Sequence, residues 1–317
     1  MNSRPDILDP ARTNALRLVH GGSDGWPGVY IERLADHLLL QSADAPDKIL
    51  QQHLAALAEE HGCHGVYFKQ LRRDVRKTDP GNASPELIQG TAAPERFTIL
   101  ENGIGYEASF GEGYSYGLFL DQRDNRARWS APEIRSWLPA GHHQPARLLN
   151  AFAYTCAFSV CAAKCEFETT SLDLSRKYLD WGRRNFDLND LDPDQHDFIY
   201  GDVFEWFKRL HNKGRRFEAI VLDPPTFSKA KKNIFKADRD YGRLIEHALP
   251  LLESGGILFA STNAAQLSKS NFLNQIRSEI VQTRRDIQKE VFVGQPPDFP
   301  VSPSEPAYLK TAWFQVG

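Results

Sequence analysis

The sequence predicts an α/β fold: a mostly parallel sheet covered by helices on both faces, preceded by a small α+β domain. Two observations carry this. After Ala146, short apolar runs of strand type alternate with amphipathic helical runs, the βαβ pattern that yields parallel strands joined by crossover helices. Before Phe110 the text reads instead as short strands and hairpins around one helix. The division expected is a leader over 1–12, the small α+β domain over 13–120 and the α/β domain over 121–317.

In the first domain, GVYIERLADHLLLQ gives two strands joined by a turn at Ala35-Asp36. Asp47 to His61 is helical, with Ile49, Leu50, Leu54, Leu57 and Ala58 on one face. A strand follows at Gly65 to Leu71, and Asn102-Gly103 between two apolar runs marks a hairpin. Asp121 to Ser136 is polar and arginine-rich. The second domain then offers strands at Arg147–Phe152, Thr169–Asp173, Phe198–Asp202, Ala219–Asp223 and Gly256–Ser261. Helices fit at Phe158–Lys164, Ser175–Asn189, Val203–Leu210 and Asp238–Leu252, the last ended by Gly255-Gly256.

Composition narrows the class. Hydrophobic residues make up 41% and charged residues 25%, which suits a folded core. The net charge of −3 gives no overall basic surface, so nucleic acid would have to be held by a local one. The four cysteines, Cys63, Cys156, Cys161 and Cys165, form no CxxC pair, so they read as buried free thiols in a reducing, cytoplasmic setting, with no metal site. No apolar run reaches membrane-spanning length.

Four strand ends carry a polar or acidic residue: Asn150, Asp173, Asp202 and Asp223. In open α/β sheets, ligands sit beyond the carboxyl ends of the strands. An acid after the second strand, Asp173 followed by Leu174, can accept bonds from ribose hydroxyls. Asp202, followed by Val203, can accept from the exocyclic amine of adenine. The turn after the first strand, with Phe152, Ala153, Tyr154 and Cys156, must let backbone approach the rest of the ligand. Asp173 and Asp202 can also be read as helix N-caps. A dinucleotide is disfavoured, because the turn NAFAYTCAFS has no glycine where GxGxxG is required. The fourth strand leaves through Asp223-Pro224-Pro225-Thr226-Phe227. Two prolines make a rigid exit, and Phe227 can stack on a planar base.

These stretches resemble the bacterial large-subunit (23S) ribosomal RNA methyltransferases that act on carbon-5 of cytosine or nitrogen-7 of guanine. The matching text is TNALRLVHGGSDGWPGVYIER, GLFLDQRDNR, LNAFAYTCAFSV, SLDLSRKYLDWGRRNF, GDVFEWFKRL, LDPPTFSK and GQPPDFPVSPSEPAYLK. The resemblance implies a Rossmann-like class I methyltransferase domain with a seven-stranded sheet. It implies S-adenosyl-L-methionine as cofactor, with contacts at Asn150, Phe152, Tyr154, Asp173, Asp202 and Asp223, and a lid at Asp121 to Arg123. The DQR segment also reads as a helix cap with surface ion pairs. RNA is the partner implied, and a homodimer is compatible with the sequence.

Three departures from the family stand out. The RNA-binding PUA domain that often begins the cytosine-modifying members is not represented. Cys156-Ala157 stand where the family has two glycines, so side chains there would crowd the methionine end. Asn263 stands where cytosine-modifying members place a cysteine. Carbon-5 of cytosine reacts only after a thiolate adds to the ring, whereas a ring or amino nitrogen attacks with its own lone pair. The expected catalytic residues are therefore Asp223, Pro224, Phe227 and Asn263, with direct transfer to a base nitrogen. Phosphates are expected at three basic clusters: Lys69, Arg72, Arg73, Arg76 and Lys77; Arg123, Arg126 and Arg128; Lys229, Lys231, Lys232 and Lys236. Tyr114 and Tyr116 are further stacking or packing candidates. Alternatives are a small-molecule or protein methyltransferase, a cytosine carbon-5 enzyme with an unrecognised nucleophile, and a binding module without activity.

Overall fold

The computed structural model describes residues 8–71, 84–113, 115–139, 141–229 and 234–317. The chain forms two compact units. One comprises Met1–Arg123 and Gln295–Pro306, the other Asp124–Gly294 and Ala307–Gly317. The boundary lies three residues beyond the expected 120/121, and a twelve-residue segment near the C-terminus returns to the first unit.

In the first unit, β1 (Ala15–His20), β2 (Val29–Leu34), β3 (His37–Ser42), α1 (Lys48–Glu60), β4 (Gly65–Gln70) and β5 (Glu86–Gly90) build a five-stranded sheet in sequence order. Only β3 and β4 pair in parallel, and α1 is the crossover that a parallel pair requires. Asp47 caps α1 by accepting the Leu50 N–H at 2.8 Å. Leu54 and Ala58 of α1 pack on Val19, Ile31, Leu38, Leu40 and Val66. Ile49 is 64% exposed, so the apolar stripe begins at Leu50 and not at Ile49. A hairpin follows from β6 (Phe97–Glu101) to β7 (Ile104–Ala108), turning on Asn102 and Gly103, both at positive φ. The returning segment is tied in by acids. Asp298 accepts both terminal nitrogens of Arg123 at 2.9 and 2.5 Å and the Arg17 N–H at 3.0 Å. Glu305 accepts the Gly22 N–H at 2.9 Å and the Tyr30 hydroxyl.

The second unit opens with α2 (Arg123–Ala127), whose first residue still belongs to the first, and α3 (Pro132–Arg135). Alternation then sets in: β8 (Arg147–Ala151), α4 (Ala157–Ala163), β9 (Glu168–Asp173), α5 (Arg176–Asp187), β10 (Asp197–Tyr200), α6 (Val203–Asn212) and β11 (Phe217–Leu222). A small hairpin, β12 (Phe227–Lys229) and β13 (Ile234–Lys236), precedes α7 (Ala237–Ala248) and β14 (Leu252–Thr262). The unit finishes with α8 (Lys269–Gln282), β15 (Ile287–Val293) and β16 (Lys310–Val316). The sheet order is β10-β9-β8-β11-β14-β16-β15, with only β16 running against its neighbours. Alternate residues face opposite layers. Leu149, Ala151, Ile220, Leu222, Leu258 and Ala260 bury against α6, α7 and α8. On the other face Phe259 meets Phe158 and Trp313, and Trp313 meets Trp129.

Helix α7 stops at Ala248, short of the expected Leu252. Pro250 has no N–H to continue it, and Leu249–Leu251 tighten into a single 3₁₀ turn. Gly255-Gly256 lie inside β14 instead of ending a helix. Arg285 closes the far end of the sheet. Its guanidinium donates to the carbonyls of Leu249, Leu252, Glu253, Val316 and Gly317 at 2.6 to 3.0 Å.

Candidate active site

The strand order sets β9, β8, β11 and β14 side by side, so their carboxyl ends form one edge of the second unit. At that edge the turn after β8 takes a demanding path. Phe152, Tyr154 and Cys156 have φ of 61°, 50° and 63°. Three non-glycine residues in the left-handed region cost on the order of 1 kcal/mol each. Neighbouring bonds hold them there. Ala153 N–H donates to the Leu172 carbonyl at 3.1 Å, and Cys156 N–H to the Ala153 carbonyl at 2.7 Å. Tyr154 N–H donates to Asp173 Oδ2 at 2.9 Å. The Tyr154 ring meets Tyr178 edge-on at 4.5 Å, and Phe152 lies 5.8 Å from Phe235.

Asp173, at the end of β9, takes the Tyr154 N–H on one oxygen and the Ser175 N–H on the other at 2.8 Å. It is not the cap of α5; Ser175 is, accepting the Tyr178 N–H. Burial raises the Asp173 pKa above the usual carboxylate range, against three backbone N–H donors that lower it. Leu174 beside it is 37% exposed. Asp202 is an N-cap, with Oδ1 accepting the Glu205 N–H at 3.0 Å. The Val203 side chain is buried in the core, so the edge there presents backbone at the start of α6, where helical geometry leaves N–H groups without intrahelical acceptors.

Asn150 does not face the edge. It is 1% exposed and donates at 2.9 Å to Ser159 of α4, which bonds Ser171 of β9 at 2.8 Å. Its Oδ1 is buried with no hydrogen-bond partner among the described residues. Its side chain anchors α4 to the sheet, a role the residue type alone does not reveal.

Cys156 does not crowd the turn. Its side chain is fully buried and points at Gly182 of α5, where an added Cβ would stand 2.3 Å from the sulfur. Burial pushes the thiol up to about 12. The lack of a side chain at Gly182 is what gives the Cys156 sulfur room.

The exit from β11 gathers the expected acceptor-side residues. Asp223 is half-buried, Pro224 buried, Pro225 and Thr226 exposed, and Phe227 40% exposed. Thr226 Oγ1 donates at 3.0 Å to Oδ1 of Asn263, just past β14. Asp223, Phe227 and Asn263 thus come from two adjacent exits. Tyr241 also reaches this place. It is fully buried on α7, with its hydroxyl 2.8 Å from the Ser261 carbonyl and 3.3 Å from that of Leu222. Its position on the apolar stripe of α7 hid that role; tyrosine, not phenylalanine, in such a stripe was the available signal.

Two expectations about basic residues change. Arg126 is 2% exposed and lies over Phe158; Arg128 lies over Trp313 and pairs with Glu133 at 3.3 Å. Arg123 is committed to Asp298 within the first unit. Arg123 and Arg126 are thus taken up by interior partners, Asp298 and Phe158, that arrive from distant sequence, while Arg128 is held by nearby Glu133 and by Trp313. The side chain of Arg123 is therefore not available as a lid contact, and Asp121 lies in the same first unit. Arg72, Arg73, Arg76, Lys77, Tyr114, Lys231 and Lys232 lie outside the described residues, as does the side chain of Lys229. Lys69 donates to the Gly113 carbonyl at 3.2 Å, and Lys236 is exposed.

Among the described residues, no three His, Cys, Asp or Glu side chains are placed to hold a metal ion, and no helix is long and apolar enough to cross a membrane. The edge suits a nucleoside carrying an amino-acid chain: the Asp173 carboxylate beside the exposed Leu174, the start of α6 at Val203, and a turn whose Cys156 side chain points away into the core.

Comparison with known proteins agrees with that chemistry. The model of a family described as S-adenosylmethionine-dependent methyltransferase matches residues 17–315. A ribosomal RNA large subunit methyltransferase of Deinococcus radiodurans is 31% identical over 310 residues, covering 96% of this chain and 73% of its own. Ribosomal RNA large subunit methyltransferase I of Aeromonas salmonicida is 31% identical over 315 residues, covering 97% and 76%. The crystal structure of a methyltransferase complexed with SAH superposes with a TM-score of 0.79 at 30% identity, covering 95% of this chain and 75% of that one. The chain belongs to the S-adenosylmethionine-dependent methyltransferase family, and S-adenosylmethionine is its cofactor.

Proposed function

We propose that this chain methylates a nitrogen of a base in large-subunit ribosomal RNA. The names of its relatives support the RNA. The observation that carries the nitrogen acceptor is the make-up of the two exits: Asp223 and Phe227 on one, Asn263 on the other, with no thiol in either. The cysteines elsewhere are unsuited to nucleophilic attack. Cys156 is buried with its pKa at about 12, Cys63 lies in the first unit at about 11, burial raises Cys165, and Cys161 is buried in α4.

In this reading the turn Phe152–Cys156 and Asp173 hold the cofactor, with Leu174, Asp202 and the Val203 backbone at its nucleoside. Asp121 stays a lid candidate on the family resemblance alone. Bound S-adenosylmethionine supplies an electrophilic methyl group on a sulfonium. Asp223 orients the base edge through hydrogen bonds, Phe227 stacks the base, and the prolines keep the exit from bending. The acceptor uses its own lone pair, so the protein contributes proximity and alignment.

Label from methyl-labelled cofactor should enter ribosomal RNA taken from cells lacking this gene, and not protein or small-molecule pools. Asp223→Ala should lower turnover by about 100-fold while changing cofactor affinity only a few-fold, because alignment is lost and not binding. RNA carrying 5-fluorocytosine should give no denaturant-resistant adduct. An adduct abolished by one Cys→Ser change would restore cytosine carbon-5 as the target.

A further inference from the structure

We propose that Tyr241 is a positioning residue for methyl transfer: its hydroxyl, set between the ends of β11 and β14, fixes the spacing of the Asp223–Phe227 and Asn263 exits. This rests on the reading that those exits flank the acceptor base.

The parallel pairing of β11 with β14 ends at Leu222 opposite Ala260. Beyond that point Tyr241 continues the connection, its hydroxyl donating to the Ser261 carbonyl at 2.8 Å with the Leu222 carbonyl at 3.3 Å. Farther out, Thr226 Oγ1 donates to Asn263 Oδ1 at 3.0 Å. The two links close a frame. One side runs from Leu222 to Thr226 and is stiffened by Pro224 and Pro225. The other runs from Ser261 to Asn263, and the Ala264 N–H donates back to Thr262 Oγ1 at 3.2 Å. Asp223 sits in the frame and Phe227 follows its outer corner.

The residue type fits this task better than core filling. Tyr241 is fully buried among Leu244, Ile245 and Ala248 of α7, with its ring edge on Phe272 at 5.0 Å. Phenylalanine would fill that space without burying a hydroxyl, which is costly unless bonded. Burial raises the Tyr241 pKa well above its ordinary value, and the Asp223 charge raises it further. The hydroxyl therefore stays protonated and donating. Without it, two carbonyl oxygens face one another across the strand gap and the exits shift.

The test is Tyr241→Phe beside Asp223→Ala, with cofactor affinity by calorimetry and methylation of ribosomal RNA from cells lacking the gene. Tyr241→Phe should lower kcat about tenfold with KM for RNA and the cofactor Kd within about twofold, since sub-ångström misalignment affects the reacting geometry before binding. An unchanged kcat, or equal losses in kcat, cofactor affinity and thermal stability, overturns the proposal. If Asp223→Ala falls and Tyr241→Phe does not, the frame fails and the acceptor-site reading stands. If neither falls, both fail. A parent protein that labels no RNA sinks the substrate reading alone, and the two variants are then scored on the pool the parent does label. Should Tyr241→Phe not fold, Thr226→Val at the exposed outer link decides: lower kcat with unchanged cofactor Kd supports the frame, and unchanged kcat overturns it.

Discussion

Cys156 and Gly182 share one small volume, and the conformation of the turn depends on how they divide it. Cys156 sits at φ 63°, where glycine is at ease and other residues are strained, yet its sulfur fills the space that Gly182 leaves. A side chain at both positions does not fit. Gly182→Ala should lower stability by about 1–3 kcal/mol, the usual result of overpacking. Cys156→Gly should leave cofactor affinity within a few-fold, and the double variant should recover most of the stability lost in Gly182→Ala. Thermal melts of the three variants and the parent give the cycle; a double variant no better than Gly182→Ala would show that the clash is not the cause. At this scale the sequence was only partly legible. Asp173 and Asp223 could be placed at or just past strand ends because the βα spacing dictates it, whereas Asp202, expected to end a strand, lies two residues beyond β10 as the cap of α6. The inward turn of Asn150 and the Cys156–Gly182 contact could not be read, since each partner lies on another element and no local pattern links them.

Elements were more legible where their pattern is local. Helix α6, expected over Val203–Leu210, runs from Val203 to Asn212, with Asp202 as its cap and Phe204, Phe207 and Leu210 buried at helical spacing. The strands β15 and β16 and the hairpin of β12 and β13 were not. Their residues gain meaning from neighbours far along the chain, as Arg285 does from carbonyls at 249–253 and 316–317. The hairpin is fixed by Phe235, which is 3% exposed and lies 5.8 Å from Phe152 and 6.3 Å from Phe204. It therefore links the acceptor-side exit to the cofactor turn. Phe235→Ala should cost about 3 kcal/mol as a buried aromatic truncation and weaken cofactor binding through Phe152. Calorimetry together with a melt checks this; full cofactor affinity in a destabilised variant would show that the hairpin does not support the turn.

For the whole molecule, the fold class followed from alternation, but the composition of the first unit did not. Arg123 read as a lid or phosphate contact because the carboxylate it binds lies 175 positions later. A polypeptide ending at Arg123 would lack Asp298 and Glu305, leaving a guanidinium that is 1% exposed without its carboxylate. Losing one partner of a buried ion pair costs about 3–5 kcal/mol. Such a fragment should fail to show cooperative melting by circular dichroism, and joining residues 295–306 to it through a flexible linker should restore it. A cooperative melt in the bare fragment would show that the returning segment is dispensable. The chain crosses between its units after residues 123, 294 and 306, and this limits how the gene can be recombined. Exchanging only the front of the gene with a diverged relative would pair one lineage's Arg17, Tyr30 and Arg123 with the other lineage's Asp298 and Glu305. A chimera keeps these contacts only where both parents carry the same residues at these positions, so a substitution at one end of the reading frame calls for a compensating one at the other.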